Sequence, residues 1–305
     1  MELQGKPLMW LFPLMVIIAF AEALYISRML KGRYQWQESA TSLAIAIGQR
    51  LIGFVFAGVA AGVLFVFWEH RLWTVPLNTA WGIALLFAGL EFFYYWHHRV
   101  SHESRWFWAT HAVHHSPQHF NLSAAYRLGW TGVISGHFLF YAPLALLGFH
   151  PAAIALALAL NLTYQFWLHT ELVGSLGWFD KWFNSPSNHR VHHATNPDYL
   201  DCNYGGVTMV FDRLFGTYVP ERRTNPPAYG LVKQVNSHNP LVIAFHEWIA
   251  IGKDLVTARS LREVAGYLFA RPGWRPDGSG MTTANLKRVA LKAVPGTAKT
   301  STTAT

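Results

Sequence analysis

The chain has 305 residues, of which 52% are hydrophobic and only 13% charged, a balance too apolar and too charge-poor for an ordinary soluble domain. Its formal net charge of +8 invites a nucleic-acid partner, but no basic stretch interleaved with aromatics accompanies it, so anionic lipid headgroups are the more economical match. A single cysteine, Cys202, excludes an internal disulfide and any Cys-based metal or redox motif.

The first apolar run, Pro7 to Ile26, is interrupted only by Glu22. Lys6 alone is a thin basic start for a signal peptide, whereas Arg28, Lys31 and Arg33 follow as a stop on the cytoplasmic side, so an uncleaved membrane helix is expected. Tyr34 to Arg50 carries Gln35, Gln37, Glu38 and Gln49 and reads as an interfacial segment. Leu51 to Trp68 is uncharged and long enough to span. A short polar connection, Glu69 to Pro76, leads to a third run, Leu77 to Trp96. Thr131 to Phe149 and Ala152 to Leu168 are two more, separated only by His150 and Pro151, which predicts a hairpin that returns the chain to the side it left.

The fold expected is therefore all-α: an integral membrane bundle of four to five transmembrane helices. Arg28, Lys31, Arg33, Arg99 and Arg105 fall on one side, against Arg71 and Lys6 on the other, which predicts that the histidine-rich face is cytoplasmic. Membrane helices and connections occupy 1–76, and a histidine-rich domain including the third to fifth spans occupies 77–221. An interfacial or cytoplasmic region covers 222–295, with short amphipathic helices at Leu241 to Ile251 and Ser260 to Phe269. A Thr/Ala-rich tail over 296–305 has the composition of a disordered segment.

The chemistry is concentrated in histidines. His98 and His102 are four apart, one turn on one helical face, at the end of the third run. His111, His114 and His115 form H-x-x-H-H, and His189, His192 and His193 repeat it about seventy residues on. A lone histidine is most often a solvated or core-satisfied ring. Three boxes at helical spacing are different, because clustered rings repel when charged and need partners when neutral. Eight nitrogen ligands with few carboxylates argue for two metal ions, since a structural zinc needs only four. Imidazole suits Fe, Zn, Cu and Ni alike, so ligand chemistry leaves the metal open.

Three polar residues are candidates for orienting a ligating histidine. Glu91 lies seven residues before His98 on the same face, inside a span where a carboxylate needs a partner, either a histidine or a buried arginine. Asp201 and Asn203 follow the third box closely. His70, His119, His137, His150, His238 and His246 lie outside the boxes and are expected to be ordinary.

The words EFFYYWHHRVSH, WATHAVHHSPQHFNLSAAYR, QFWLHTELVG and NHRVHHATNPDYLDCNYGGVTMVFDRLFGTYVPE, spanning roughly 91–221, resemble the integral-membrane fatty acid hydroxylase superfamily, which includes sterol desaturases. YGLVKQVNSHNP and RPGWRPDG resemble its alkylglycerol monooxygenase branch. The resemblance implies a non-haem di-iron enzyme that uses O2 to hydroxylate a lipid chain, whether fatty acyl, sterol or alkylglycerol ether. Desaturation by the same boxes is the alternative, and a membrane metal transporter is the alternative from another class. It also implies His169 as an additional ligand and His98, rather than His97, as the first. Gln165 departs from it, standing where some relatives place another histidine. Electrons would come from reduced pterin, cytochrome b5 or ferredoxin. The chain carries neither a G-x-G-x-x-G fingerprint nor a C-x-x-C-H haem word, so the donor is expected to be external.

Overall fold

The structure, a computed structural model, describes residues 10–30 and 34–293, and the 296–305 tail falls outside these. Among the described residues the chain is helical, with no strand beyond isolated bridges such as Phe183 to Thr208. The helices are α1 (Leu11–Arg28), α2 (Trp36–Glu69), α3 (Ala80–Glu103), α4 (Arg105–His115), α5 (Ala142–Leu147) and α6 (Pro151–Phe166). They continue as α7 (Trp178–Trp182), α8 (Pro186–His192), α9 (Val210–Leu214), α10 (Pro240–Thr257), α11 (Leu261–Phe269) and α12 (Thr283–Ala293).

Among the described residues, α1 and α2 are the helices long and apolar enough to cross a membrane. At 1.5 Å per residue they measure about 27 and 51 Å. The length of α2 corrects the expectation of a separate interfacial segment before residue 51. Glu38, Thr41, Ser42, Ile45 and Ala46 are buried along one stripe at spacings of three and four, so polar residues mark a packed face and not a break. Glu38 accepts from the backbone N–H of Gln118 (2.6 Å) and lies 2.6 Å from Nδ1 of His119, which binds α2 to the segment after the second histidine box.

Thr79 caps α3, its hydroxyl accepting from the N–H of Gly82 at 3.2 Å. The helix then runs without interruption from its apolar half into His98 and His102. Ser104 adopts an extended conformation and α4 starts immediately, so the first two boxes lie on consecutive helices joined by one residue.

The predicted apolar helix over 131–149 is instead a turn, a 3-10 segment (His137–Tyr141) and the six-residue α5. Gly136 (φ 79°) and Gly148 (φ 115°) are left-handed, and the Ser135 hydroxyl bonds back to the Thr131 carbonyl at 2.9 Å, which offers the backbone an alternative to a helix. The predicted reversal at 148–151 is present, with a short first arm. There a Cβ on Gly148 would sit 2.3 Å from the carbonyl oxygen of Trp73. Gly148→Ala is expected to cost about 2–3 kcal/mol, from the left-handed strain plus the displaced loop, and to lower the melting temperature in detergent. Leu86 and Leu90 of α3 pack here against Tyr141, Leu144, Ala145, Phe149 and Ile154.

Between α8 and α10 the chain is mostly loop. The Asp212 carboxylate accepts from the N–H groups of Tyr204 and Gly205, both at 2.7 Å, and holds this loop in place.

Candidate metal centre

Four pieces of chain bring the histidines together: the end of α3, the last half of α4, the residues following α6, and α8. Arg190 locks two of them. Its Nε and Nη2 engage both carboxylate oxygens of Glu221 (3.0 and 2.7 Å), and its Nη1 donates to the carbonyls of Thr170 and Val173 (2.9 and 2.7 Å). The segment carrying His169 is thereby fixed to α8.

The nine predicted histidines fall into two groups. His98, His102, His111, His115 and His192 form one, and His114, His169, His189 and His193 the other; within each, the potential ligand atoms lie within 4.8 Å of one another. Each H-x-x-H-H box is shared. His111 and His115 enter the first group while His114 turns to the second, and His189 and His193 enter the second while His192 turns to the first. The i,i+4 pair stays on one face and the third ring lies on the adjacent stripe. The groups abut where the rings of His115 and His193 stack, 4.2 Å apart.

Burial first, and then the neighbouring rings, push His98, His111, His115, His169, His189, His192 and His193 well below the ordinary imidazole value. His114 is lowered to about 4 by its burial. These rings are therefore neutral near pH 7, each with one N–H and one lone pair.

Where the proton sits follows from the partners of Nδ1. His98, His114, His169 and His192 each place Nδ1 against a backbone carbonyl: Tyr204 (2.8 Å), Arg127 (3.2 Å), Gln165 (2.9 Å) and Cys202 (2.9 Å). A carbonyl only accepts, so Nδ1 donates and Nε2 presents a bare lone pair. Nε2 of His114 and Nε2 of His169 nevertheless face each other at 3.2 Å. Two lone pairs at that distance repel unless a cation lies between them. Nε2 of His102 and of His192 are buried with no hydrogen-bond partner among the described residues. Metal–imidazole bonds of about 2.0–2.1 Å put neighbouring ligand nitrogens roughly 3.0–3.4 Å apart. Nε2 separations of 3.0 Å (His98 to His111, His169 to His189) and 3.2 Å (His111 to His115, His189 to His193) match that spacing. The residues present thus fit two metal ions, one per group.

The polar candidates behave differently from one another. Asp201 (φ 54°) stands 3.7 Å from Nδ1 of His102, beyond direct hydrogen-bond distance but on that ring's Nδ1 side. Asn203 (φ 56°) donates to the carbonyls of Asn188 and Val219 and accepts from the Val219 N–H, so it pins α8 without reaching a histidine. Glu91 pairs with neither a histidine nor an arginine. It accepts from Asn161 Nδ2 (2.5 Å), Val207 N (3.0 Å) and Thr208 N (2.7 Å). Gln165, in the departure position, is committed elsewhere: its amide donates to Asn161 Oδ1 and accepts from the Tyr94 hydroxyl. His97 lies outside both groups, with Nδ1 3.1 Å from the Tyr141 hydroxyl. Asn121 caps its own turn, its Oδ1 accepting from the Ser123 N–H and hydroxyl.

Sequence reasoning missed the carbonyls of Tyr204, Arg127 and Cys202, which fix the ring orientations. No residue type signals such a role, because every residue offers a carbonyl. The Asn161–Gln165–Tyr94 relay could have been suspected, since three polar side chains stand within otherwise apolar stretches.

Residues 83–217 match the family described as Fatty acid hydroxylase. An alkylglycerol monooxygenase from Homo sapiens is 35% identical over 256 residues, 83% of this chain and 57% of that protein. One from Xenopus tropicalis is 36% identical over 242 residues, 78% of this chain and 53% of that protein. An ornithine lipid hydroxylase from Rhizobium tropici is 27% identical over 170 residues, 55% of this chain and 50% of that protein. The chain therefore spans about half the length of the curated relatives it matches. No solved structure matches.

Proposed function

The chain belongs, through residues 83–217, to the fatty acid hydroxylase family, and from that premise we propose that it is a membrane-bound, O2-dependent oxidoreductase that hydroxylates a lipid chain. The observation that carries the reading is the pair of lone-pair-bearing imidazole groups at the ends of apolar helices. The two histidine groups would each hold one iron ion, and iron there would supply the activation of dioxygen that an unactivated C–H bond requires. One oxygen atom enters the product and the other leaves as water, with two protons taken up from water and two electrons from an external donor: reduced pterin, or two one-electron deliveries from cytochrome b5 or ferredoxin.

The protein's part is binding and orientation. Carbonyl bonds to Nδ1 of four histidines hold the rings so that Nε2 faces inward. Asp201 opposite His102 favours a proton on Nδ1 and leaves Nε2 free. Because α3 carries apolar residues directly up to His98, an alkyl chain lying in the bilayer meets the ligands without crossing water. The first two relatives act, by their names, on alkylglycerols, which favours an ether lipid; hydroxylation beside an ether oxygen gives a hemiacetal that collapses to an aldehyde. The topology proposed is a multi-pass membrane bundle with the histidines on the cytoplasmic side. Transporters place polar ligands near the bilayer midplane, whereas these lie at helix ends, which favours the oxygenase.

Cells expressing the protein, supplied with labelled dioxygen and a mixture of alkylglycerol, sterol and fatty acyl lipids, are expected to accumulate a labelled hydroxy-lipid or a fatty aldehyde. The His98→Ala variant is expected to give neither. A new double bond without label would assign desaturation, and metal uptake with no lipid change would assign transport.

A further inference from the structure

Helix α10 is amphipathic in the sense opposite to that of a helix facing water. Its side toward the protein carries Ile243, Ala244, Glu247, Ile251 and Asp254. The two carboxylates point inward to Arg105 of α4, with Glu247 Oε1 2.6 Å from Nε and Asp254 Oδ2 2.7 Å from Nη1. The opposite side exposes Leu241, Val242 and Ile249, which with half-buried Phe245 and Trp248 line a shallow apolar groove, and Val256 (88% exposed) lies beyond it; the Trp248 indole turns its N–H inward to the Thr131 hydroxyl at 2.9 Å. A helix that spends its acids on an internal arginine and turns its aliphatic residues outward is stable only against an apolar medium.

Its place in the fold says which medium. Ile243 packs with Val113 and with Ile45 of α2, and the Trp130 indole bridges the same junction, donating to the Ile45 carbonyl at 2.9 Å. Past exposed Arg50, less than two turns beyond Ile45, the outward residues of α2 become uniformly apolar, beginning with Leu51 and Phe54 (86% exposed). Helix α10 thus lies at the level where the apolar belt of α2 begins. Exposed Lys253, Arg259 and Arg262 flank it, cations suited to anionic headgroups.

We infer that α10 is an interfacial helix whose outer face, from Leu241 to Val256, is seated in the lipid bilayer at the boundary between headgroups and acyl chains. Such helices bury their apolar face about 5–10 Å deep. This placement rests on the membrane reading given above, and it brings α4, with the second histidine box, to the membrane surface.

The test uses the full chain in vesicles of phosphatidylcholine and phosphatidylglycerol. Cys202 is buried and is the only cysteine, so cysteines introduced at Ile249, Val256, Phe54 and Asp277 can be labelled selectively with an environment-sensitive fluorophore. Labels at Ile249 and Val256 are expected to be quenched by spin-labelled lipid and to be several-fold less accessible to aqueous iodide than the label at exposed Asp277. Iodide accessibility equal to that at Asp277 would overturn the inference. Shielding from both iodide and lipid would also overturn it, assigning the face to a second copy or another protein. Phe54 separates the two premises. Lipid quenching at Phe54 with none at Ile249 rejects the interfacial helix alone, and no quenching at Phe54 rejects the membrane placement of both.

Discussion

Replacing His189 with alanine is expected to lower the metal content of purified protein from about two ions per chain to about one, by loss of a ligand from a four-nitrogen set. His189 belongs to the smaller group, where His114, His169 and His193 alone would remain. Its loss also leaves a void among fully buried rings, two of which lie within 3.2 Å of its Nε2. The larger group starts from five ligands, so His192→Ala leaves four and is expected to retain more metal than His189→Ala while still losing turnover. His97→Ala, outside both groups, is expected to keep full occupancy. Elemental analysis after a chelator wash, beside product formation, decides between them. Equal metal in all three variants would mean that the rings gather for some reason other than metal binding.

That contrast was not legible in the sequence. The spacing of the boxes predicts helices and convergence, and α3, α4 and α8 carry them as expected. It does not predict that each H-x-x-H-H divides between two groups, because helical spacing fixes which rings share a stripe but not what faces each stripe. His114 belongs with His169 only because α6 delivers His169 to that side. The same limit explains Glu91. Its position on the face of His98 suggested a histidine partner, but the helix lies against α6 and the 205–208 loop at that level, and their donors reach it first. In α2 the polar residues before Arg50 looked like an interruption until the segment after the second box supplied their partners. The apolar run over 131–149 shows the converse: hydrophobicity alone suggested a long helix, and the glycines at 136 and 148 and the back-bonding Ser135 prevent one.

Glu91→Leu is expected to destabilise the protein by on the order of 3–5 kcal/mol, the range for removing one partner of a buried charged network. Three donors converge on its carboxylate: Asn161 Nδ2 and the N–H groups of Val207 and Thr208. Glu91 is 2% exposed and Asn161 3%, so water does not replace the lost acceptor without opening the fold. The loop held this way continues into Tyr204, whose carbonyl orients His98, so metal retention should fall together with stability. Glu91→Gln separates the acceptor role from the charge. The relay runs from the Tyr94 hydroxyl to Gln165, to Asn161, to Glu91, each donating to the next. A glutamine at position 91 can keep its oxygen toward Val207 and Thr208 and donate its amide to Asn161, provided that Asn161 and Gln165 both flip and the Tyr94 oxygen becomes an acceptor. That reversal keeps the main contacts, and its cost should be only about 1–2 kcal/mol. Adding Tyr94→Phe removes the terminal acceptor and should make the glutamine variant disproportionately less stable than the sum of the single changes. Unfolding midpoints in detergent for the two single variants and the double variant measure this coupling. If Glu91→Leu proved as stable as the parent, the carboxylate would not be what holds the loop to α3 and α6.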